Sequence, residues 1–139
     1  MKIKLFVGLL AFCFAANGCG RIYGPVEEVK AYLNDMDDIV LQISKKLEAD
    51  PNETGADEAR KVFDSRKDGL KAKRKAIDEK PQGINSDWMS MLLDGEIKDT
   101  KLLQDIMIQA GVNCKTNCTE AREKLLKLRN DFMDLNKQQ

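Results

Sequence analysis

The sequence contains no histidine among its 139 residues. Histidine is the commonest general base near neutral pH, a frequent metal ligand and the usual ligand of haem iron. Its absence excludes Ser-His and Cys-His catalysis and any zinc site that needs an imidazole. No pattern of carboxylates, lysines or thiols forms a catalytic constellation. We therefore predict a protein that is not an enzyme and that binds no cofactor.

An excess of charge is also missing, and aromatic residues are few. The chain has 23 basic and 23 acidic residues, and Phe, Trp and Tyr make up 6% of it. Nucleic-acid-binding proteins usually carry a basic surface, and those that bind single strands stack bases on aromatic side chains. The composition therefore predicts that nucleic acid is not a partner.

A long apolar run occurs only at the N-terminus. Lys2 and Lys4 precede the uncharged residues 5–16, and small residues follow. The run is too short to cross a bilayer comfortably, so it predicts a secretory signal peptide. Ordinary signal-peptidase cleavage between Ala16 and Cys19, which leaves Cys19 free or paired, is one interpretation, and an uncleaved anchor is another.

The pair Gly18-Cys19 resembles the bacterial lipoprotein signal, in which a small residue precedes a cysteine that is acylated and becomes the mature N-terminus. This resemblance implies a signal peptide over 1–18, a lipid on Cys19, a tether over 19–24 and a folded domain over 25–139. It also implies export across the inner membrane and attachment to the cell envelope, facing the periplasm or the cell exterior.

The four cysteines can be divided by position. Cys13 lies in the leader, and a lipid on Cys19 would leave Cys114 and Cys118 as a pair. Exported proteins form disulfides, so we predict a structural disulfide between these two residues. A metal site would need more ligands, and the C-x-x-C spacing of redox motifs is absent.

Apolar residues recur every three or four positions in four segments, each of which predicts an amphipathic helix. The members of these four series are Val26, Val29, Leu33, Met36, Val40, Ile43 and Leu47; Ala56, Ala59, Val62, Phe63, Leu70 and Ile77; Trp88, Leu92, Leu102, Leu103, Ile106 and Ala110; and Ala121, Leu125, Leu128, Phe132 and Leu135. Asp94-Gly95 interrupts the third segment, which is then one kinked helix or two short ones. No β-type alternation occurs. The predicted fold is all-α, a four-helix up-down-up-down bundle.

This topology predicts what lies at each end. Residues 51–55 and 114–118 would meet at the end far from the tether, where a recognition surface could lie. The tether end would carry Trp88 and the basic residues Lys71, Lys73, Arg74 and Lys75, a set that suits an anionic membrane. Nearby acidic residues favour the simpler interpretation of a solvated helix face. The aspartates within residues 34–38 could suggest a calcium site. Calcium loops need a sharp glycine turn, which this segment lacks, so we interpret these residues as a solvated helix face.

Two functions fit these features. The first is a small membrane-anchored lipoprotein, a non-catalytic interaction or scaffold module with an unidentified protein partner, either monomeric or a helical dimer. The alternative is a freely secreted helical protein that binds a small apolar ligand between its helices, with methionines such as Met36, Met89, Met91 and Met107 and also Trp88 lining the cavity.

Overall fold

The computed structural model describes residues 25–80 and 87–135, which form four α-helices. Helix α1 spans Val26–Ala49, α2 spans Glu53–Asp78, α3 spans Asp87–Asn113 and α4 spans Cys118–Asp134. These two ranges contain no β-strand. The predicted all-α fold with four helices is confirmed. The leader, Cys19 and the tether lie outside the described residues.

Helix α1 buries two neighbouring stripes of side chains. Its predicted seam is buried at Val29, Met36, Val40, Ile43 and Leu47, whereas Val26 and Leu33 are partly buried. Tyr32 and Ile39 form a second buried stripe beside this seam. The second stripe exists because α1 packs against two helices, α2 and α3.

Helix α3 runs through Asp94-Gly95 as one helix. A Cβ atom on Gly95 would lie 2.5 Å from Cδ2 of Leu33 on α1. The glycine therefore allows α1 and α3 to approach closely, and it does not end the helix. Glu96 and Asp99 lie on the buried face of α3, between Leu92 and Leu103.

Helix α4 buries every residue of its predicted seam: Ala121, Leu125, Leu128, Phe132 and Leu135. Phe132 packs against Phe63 of α2, with 6.0 Å between ring centroids. With 17 residues against 26 in α2, α4 is the shorter helix, and its end lies level with Phe63. The tether half of α2 therefore extends beyond α4.

The helices alternate in direction, as the up-down-up-down prediction requires, and their order around the bundle is α1, α2, α4, α3. Helix α1 contacts α2 and α3, and α4 contacts α2 and α3. Leu33 lies against Gly95 and Asp37 pairs with Lys98, so α1 runs parallel to α3. Glu53 pairs with Lys124 and Phe63 packs against Phe132, so α2 runs parallel to α4. Within the described residues, α2 and α3 lie diagonally opposite each other.

Candidate functional site

An open groove of about 610 Å³ lies between α3 and α4 at the end of the bundle far from the tether. Apolar side chains form most of its lining: Met107, Ile108 and Val112 of α3, and Ala121, Leu125 and Leu126 of α4. A Cβ atom on Gly111 would meet no heavy atom within 4 Å, so this part of α3 leaves the space open. The volume falls within the roughly 300–1,000 Å³ of small-molecule sites.

The walls of the groove expose large apolar side chains to solvent. Ile108 is 53% exposed, Val112 is 73% exposed and Leu126 is 43% exposed. Leu93 and Ile97 extend the same side of α3 towards the tether end, and both are exposed. A contiguous exposed apolar surface of this kind is typical of binding sites.

Two arginines line this groove without a carboxylate partner among the described residues. The described residues contain five arginines, and Arg60, Arg66 and Arg74 each form ion pairs with aspartates or glutamates. Arg122 and Arg129 form none within residues 25–80 and 87–135. Nε of Arg129 is buried and has no hydrogen-bond acceptor. The groove is therefore apolar with unneutralised positive charge.

The two loops at this end of the bundle meet, as predicted. Asn52 accepts hydrogen bonds at Oδ1 from the backbone N–H groups of Lys115 and Thr116, at 2.9 and 3.0 Å. The predicted Cys114–Cys118 disulfide is present, with 5.7 Å between the Cα atoms. Both cysteines also line the groove, so the disulfide fixes one end of it.

A buried polar cluster occupies the tether half of the bundle. Oε1 of Glu96 accepts hydrogen bonds from Nε of Arg74 at 2.8 Å and from the Tyr32 hydroxyl at 3.2 Å. Arg74 also pairs with Asp78, one turn along α2. Arg74 is 4% exposed and Glu96 is 3% exposed. Arg74 therefore spans the α2–α3 diagonal in the region that α4 does not reach.

Burial dominates the electrostatics of this cluster. It raises the pKa of Glu96, and the positive charge of Arg74 opposes that rise. Burial and the neighbouring Glu96 raise the pKa of the Tyr32 hydroxyl. The cluster lies in the interior and shares no residue with the groove. Its evident role is to satisfy buried charges and to fix α3 against α1 and α2.

A second buried carboxyl, Asp99, lies against α1. Burial, followed by a hydrogen bond with Asp37, raises the pKa of Asp99 to about 7. The Lys98 ammonium lowers the pKa of Asp37, whose Oδ1 it contacts at 2.8 Å. Within the described residues, Oδ1 of Asp99 accepts no hydrogen bond, and it lies 3.8 Å from Nζ of Lys98. Below about pH 7, Asp99 therefore keeps a proton that it shares with the ionised Asp37.

This shared proton predicts that stability declines as the pH rises. The folded protein keeps the proton up to about pH 7, whereas an unfolded aspartate loses it near 3.8, so the unfolding free energy falls across that window. Because the pKa of Glu96 is also raised, its titration makes the unfolding free energy fall with rising pH as well. We expect Asp99→Asn to reduce the slope of the unfolding free energy against pH. It should also stabilise the protein at pH 8 by on the order of 2 kcal/mol. Urea unfolding from pH 5 to pH 8 measures this.

The control is Asp94→Asn, which neutralises an exposed aspartate of the same helix. It should leave the pH dependence unchanged. If Asp99→Asn and wild type have the same slope above pH 5, the shared proton does not exist.

The structure corrects part of the predicted membrane-facing set. Arg74 and Trp88 are buried, at 4% and 3% exposed, because Arg74 pairs with Glu96 and Trp88 packs into the core. Lys73 pairs with Asp35, and Lys75 with Glu79. Lys71 is exposed. Two of the five residues are therefore buried, and the set does not form one surface.

The acidic residues 34–38 are also divided around their helix. Asp35 and Asp38 pair with Arg66, Asp37 pairs with Lys98, and Met36 is in the core. In the two described ranges, no three Cys, Asp or Glu residues are placed to hold a metal ion.

The sequence argument missed Arg74, Glu96 and Asp99 as buried residues. All three occupy positions at which the spacing of three or four residues continues an apolar seam. In α3, this series consists of Trp88, Leu92, Glu96, Asp99 and Leu103. A charged residue in that register is the signal that would have identified them. The arginines of the groove carry no comparable signal.

None of the helices described here has an apolar stretch of the length that a membrane crossing requires. Comparisons with protein-family models, with curated proteins and with solved structures gave no match. Function is therefore argued from the geometry of the groove.

Proposed function

We propose that this protein is a non-catalytic binding module whose α3/α4 groove holds an apolar ligand. The observation that carries the proposal is the open groove of about 610 Å³ with its exposed walls of Ile108, Val112 and Leu126. Removing such surface from water contributes about 25 cal/mol per Å² to binding. Met107 lines the groove, whereas Met36 and Trp88 belong to the solid core.

We further propose that a lipid on Cys19 attaches this module to a membrane of the cell envelope. The Gly18-Cys19 pair and the apolar leader support this. In an anchored chain, the 24 residues of α1 would place the groove about 36 Å from the tether end. The ligand would then enter from the aqueous side. Acyl mass on Cys19 in the mature protein tests the anchor.

Polar substitutions in the groove should abolish uptake of an uncharged apolar probe. We expect the double variant Ile108→Asn/Leu126→Asn to bind Nile red at least about tenfold more weakly than wild type, because both side chains form the walls of the site. Both residues are exposed, so the unfolding free energy should change little. Fluorescence titration measures the affinity, and circular dichroism measures the helical content.

Leu41→Asn is the matched control, because Leu41 is 52% exposed on α1 and does not line the groove. This variant should bind Nile red as wild type does. Equal loss in both variants, or no loss in either, would contradict the assignment of the groove as the binding site.

A further inference from the structure

We infer that the ligand of the groove is a single-chain amphiphile with an anionic head group. In this arrangement, the head binds Arg129 and Arg122, and the apolar chain lies between α3 and α4. The inference rests on the proposed function, because it names the chemical class of ligand that the same groove takes.

The first argument is the unsatisfied donor of Arg129. In the described part of the chain, its Nε is buried without an acceptor, and its guanidinium donates one side-chain hydrogen bond, to the adjacent Asn130 at 3.4 Å. A buried donor without a partner is costly, particularly on a charged group. An anion in the groove would supply the missing acceptor.

The second argument is the sign of the charge that lines the groove. Arg122 and Arg129 are its charged residues, and no Asp or Glu belongs to the lining. Seven residues apart, they lie on the same side of α4, separated by about 10.5 Å along the helix axis. The guanidinium groups can therefore converge on a head group placed between them. Guanidinium binds carboxylate and phosphate oxygens in pairs.

The third argument separates this site from ordinary surface arginines. Arg60, Arg66 and Arg74 each have a carboxylate partner on another helix. The surface is otherwise rich in ion pairs, so two unpaired arginines beside one apolar groove form an exception. A neutral apolar ligand would leave both charges unused, and a cationic one would be repelled.

Isothermal titration calorimetry with short amphiphiles tests the inference. The full chain carrying Cys19→Ser, so that no acyl group is attached, is titrated with decanoate, decyl phosphate and decanol below their micellar concentrations. We expect the anions to bind at least about tenfold more tightly than decanol, because hydrogen bonds to charged groups contribute that much. Tighter binding of decanoate would indicate a fatty acid, and tighter binding of decyl phosphate a phospholipid-derived ligand.

Substitution of Arg129 separates a head-group role from a general charge effect. Arg129→Gln should remove most of the preference for the anions and leave the affinity for decanol unchanged. Lys127→Gln removes one positive charge from an exposed position of the same helix, outside the groove, and should change neither affinity.

Equal affinity for decanol and the anions, or equal effects of Arg129→Gln and Lys127→Gln, would overturn the inference. The absence of binding by all three amphiphiles would overturn it as well. In each case, Nile red titration of the Ile108→Asn/Leu126→Asn variant decides separately whether the groove binds apolar ligands.

Discussion

Replacing Arg74 with methionine is expected to lower the unfolding free energy by about 3–5 kcal/mol at pH 8. The substitution keeps much of the apolar stem but leaves the buried Glu96 carboxylate with the Tyr32 hydroxyl as its donor among the described residues. Glu96 is 3% exposed, so water cannot replace the guanidinium without a rearrangement of the helices. Chemical denaturation measures the loss.

The loss should depend on pH. Arg74 opposes the rise that burial imposes on the pKa of Glu96, so its removal raises that pKa further. Glu96 can then become neutral at mildly acidic pH, which removes the uncompensated charge. The Arg74→Met variant should therefore be less destabilised at pH 5 than at pH 8. A loss that is independent of pH would mean that Arg74 contributes through packing.

The double variant Arg74→Met/Glu96→Leu completes the test. A buried ion pair that is replaced by apolar residues of similar volume is often neutral or even stabilising, because two desolvated charges disappear together. We expect the double variant to recover most of the stability lost in the single one. The control Lys71→Met removes an exposed charge from the same helix and should change stability by less than about 0.5 kcal/mol. A double variant as unstable as Arg74→Met would exclude charge burial as the cause.

The features that could be predicted are those that depend on local spacing. The seam of α4 and the pairing of Cys114 with Cys118 follow from periodicity and cysteine number. The meeting of the two loops follows from the alternating helix directions. Each of these needs information from a single segment or from chain order.

The features that could not be predicted depend on how the helices are arranged in space. Periodicity does not distinguish the order α1, α2, α4, α3 from other orders of helices around a bundle. This order is what brings Arg74 into contact with Glu96. Periodicity also does not predict the groove between α3 and α4. Apolar residues of α3 outside its predicted seam, such as Leu93, Ile97 and Ile108, were a partial signal, because a helix that is apolar beyond one stripe has more than one partner.

Gly55→Ala is expected to destabilise the protein by about 3 kcal/mol or more, beyond the usual cost of an added methyl group in a packed region. A Cβ atom at this position would lie 1.6 Å from the backbone oxygen of Asp50 and 2.7 Å from its carbonyl carbon. These atoms belong to the main chain, so no side-chain rotation relieves the overlap. Residues 50–52 are the whole connection between α1 and α2, so the two helices would have to separate.

The control for Gly55 is Gly69→Ala in the same helix, an exposed position where a Cβ atom meets nothing within 4 Å. Because alanine is favoured over glycine inside helices, this variant should be more stable than wild type by up to about 1 kcal/mol. Helix propensity favours alanine at both positions. A lower Tm for Gly55→Ala together with a higher Tm for Gly69→Ala would therefore be caused by the contact with Asp50. Stabilisation by both substitutions would show that the α1–α2 connection is looser than the structure indicates.

Separation of these helices would also move Asn52 away from Lys115 and Thr116, so Gly55→Ala should weaken Nile red binding in the groove that this loop borders.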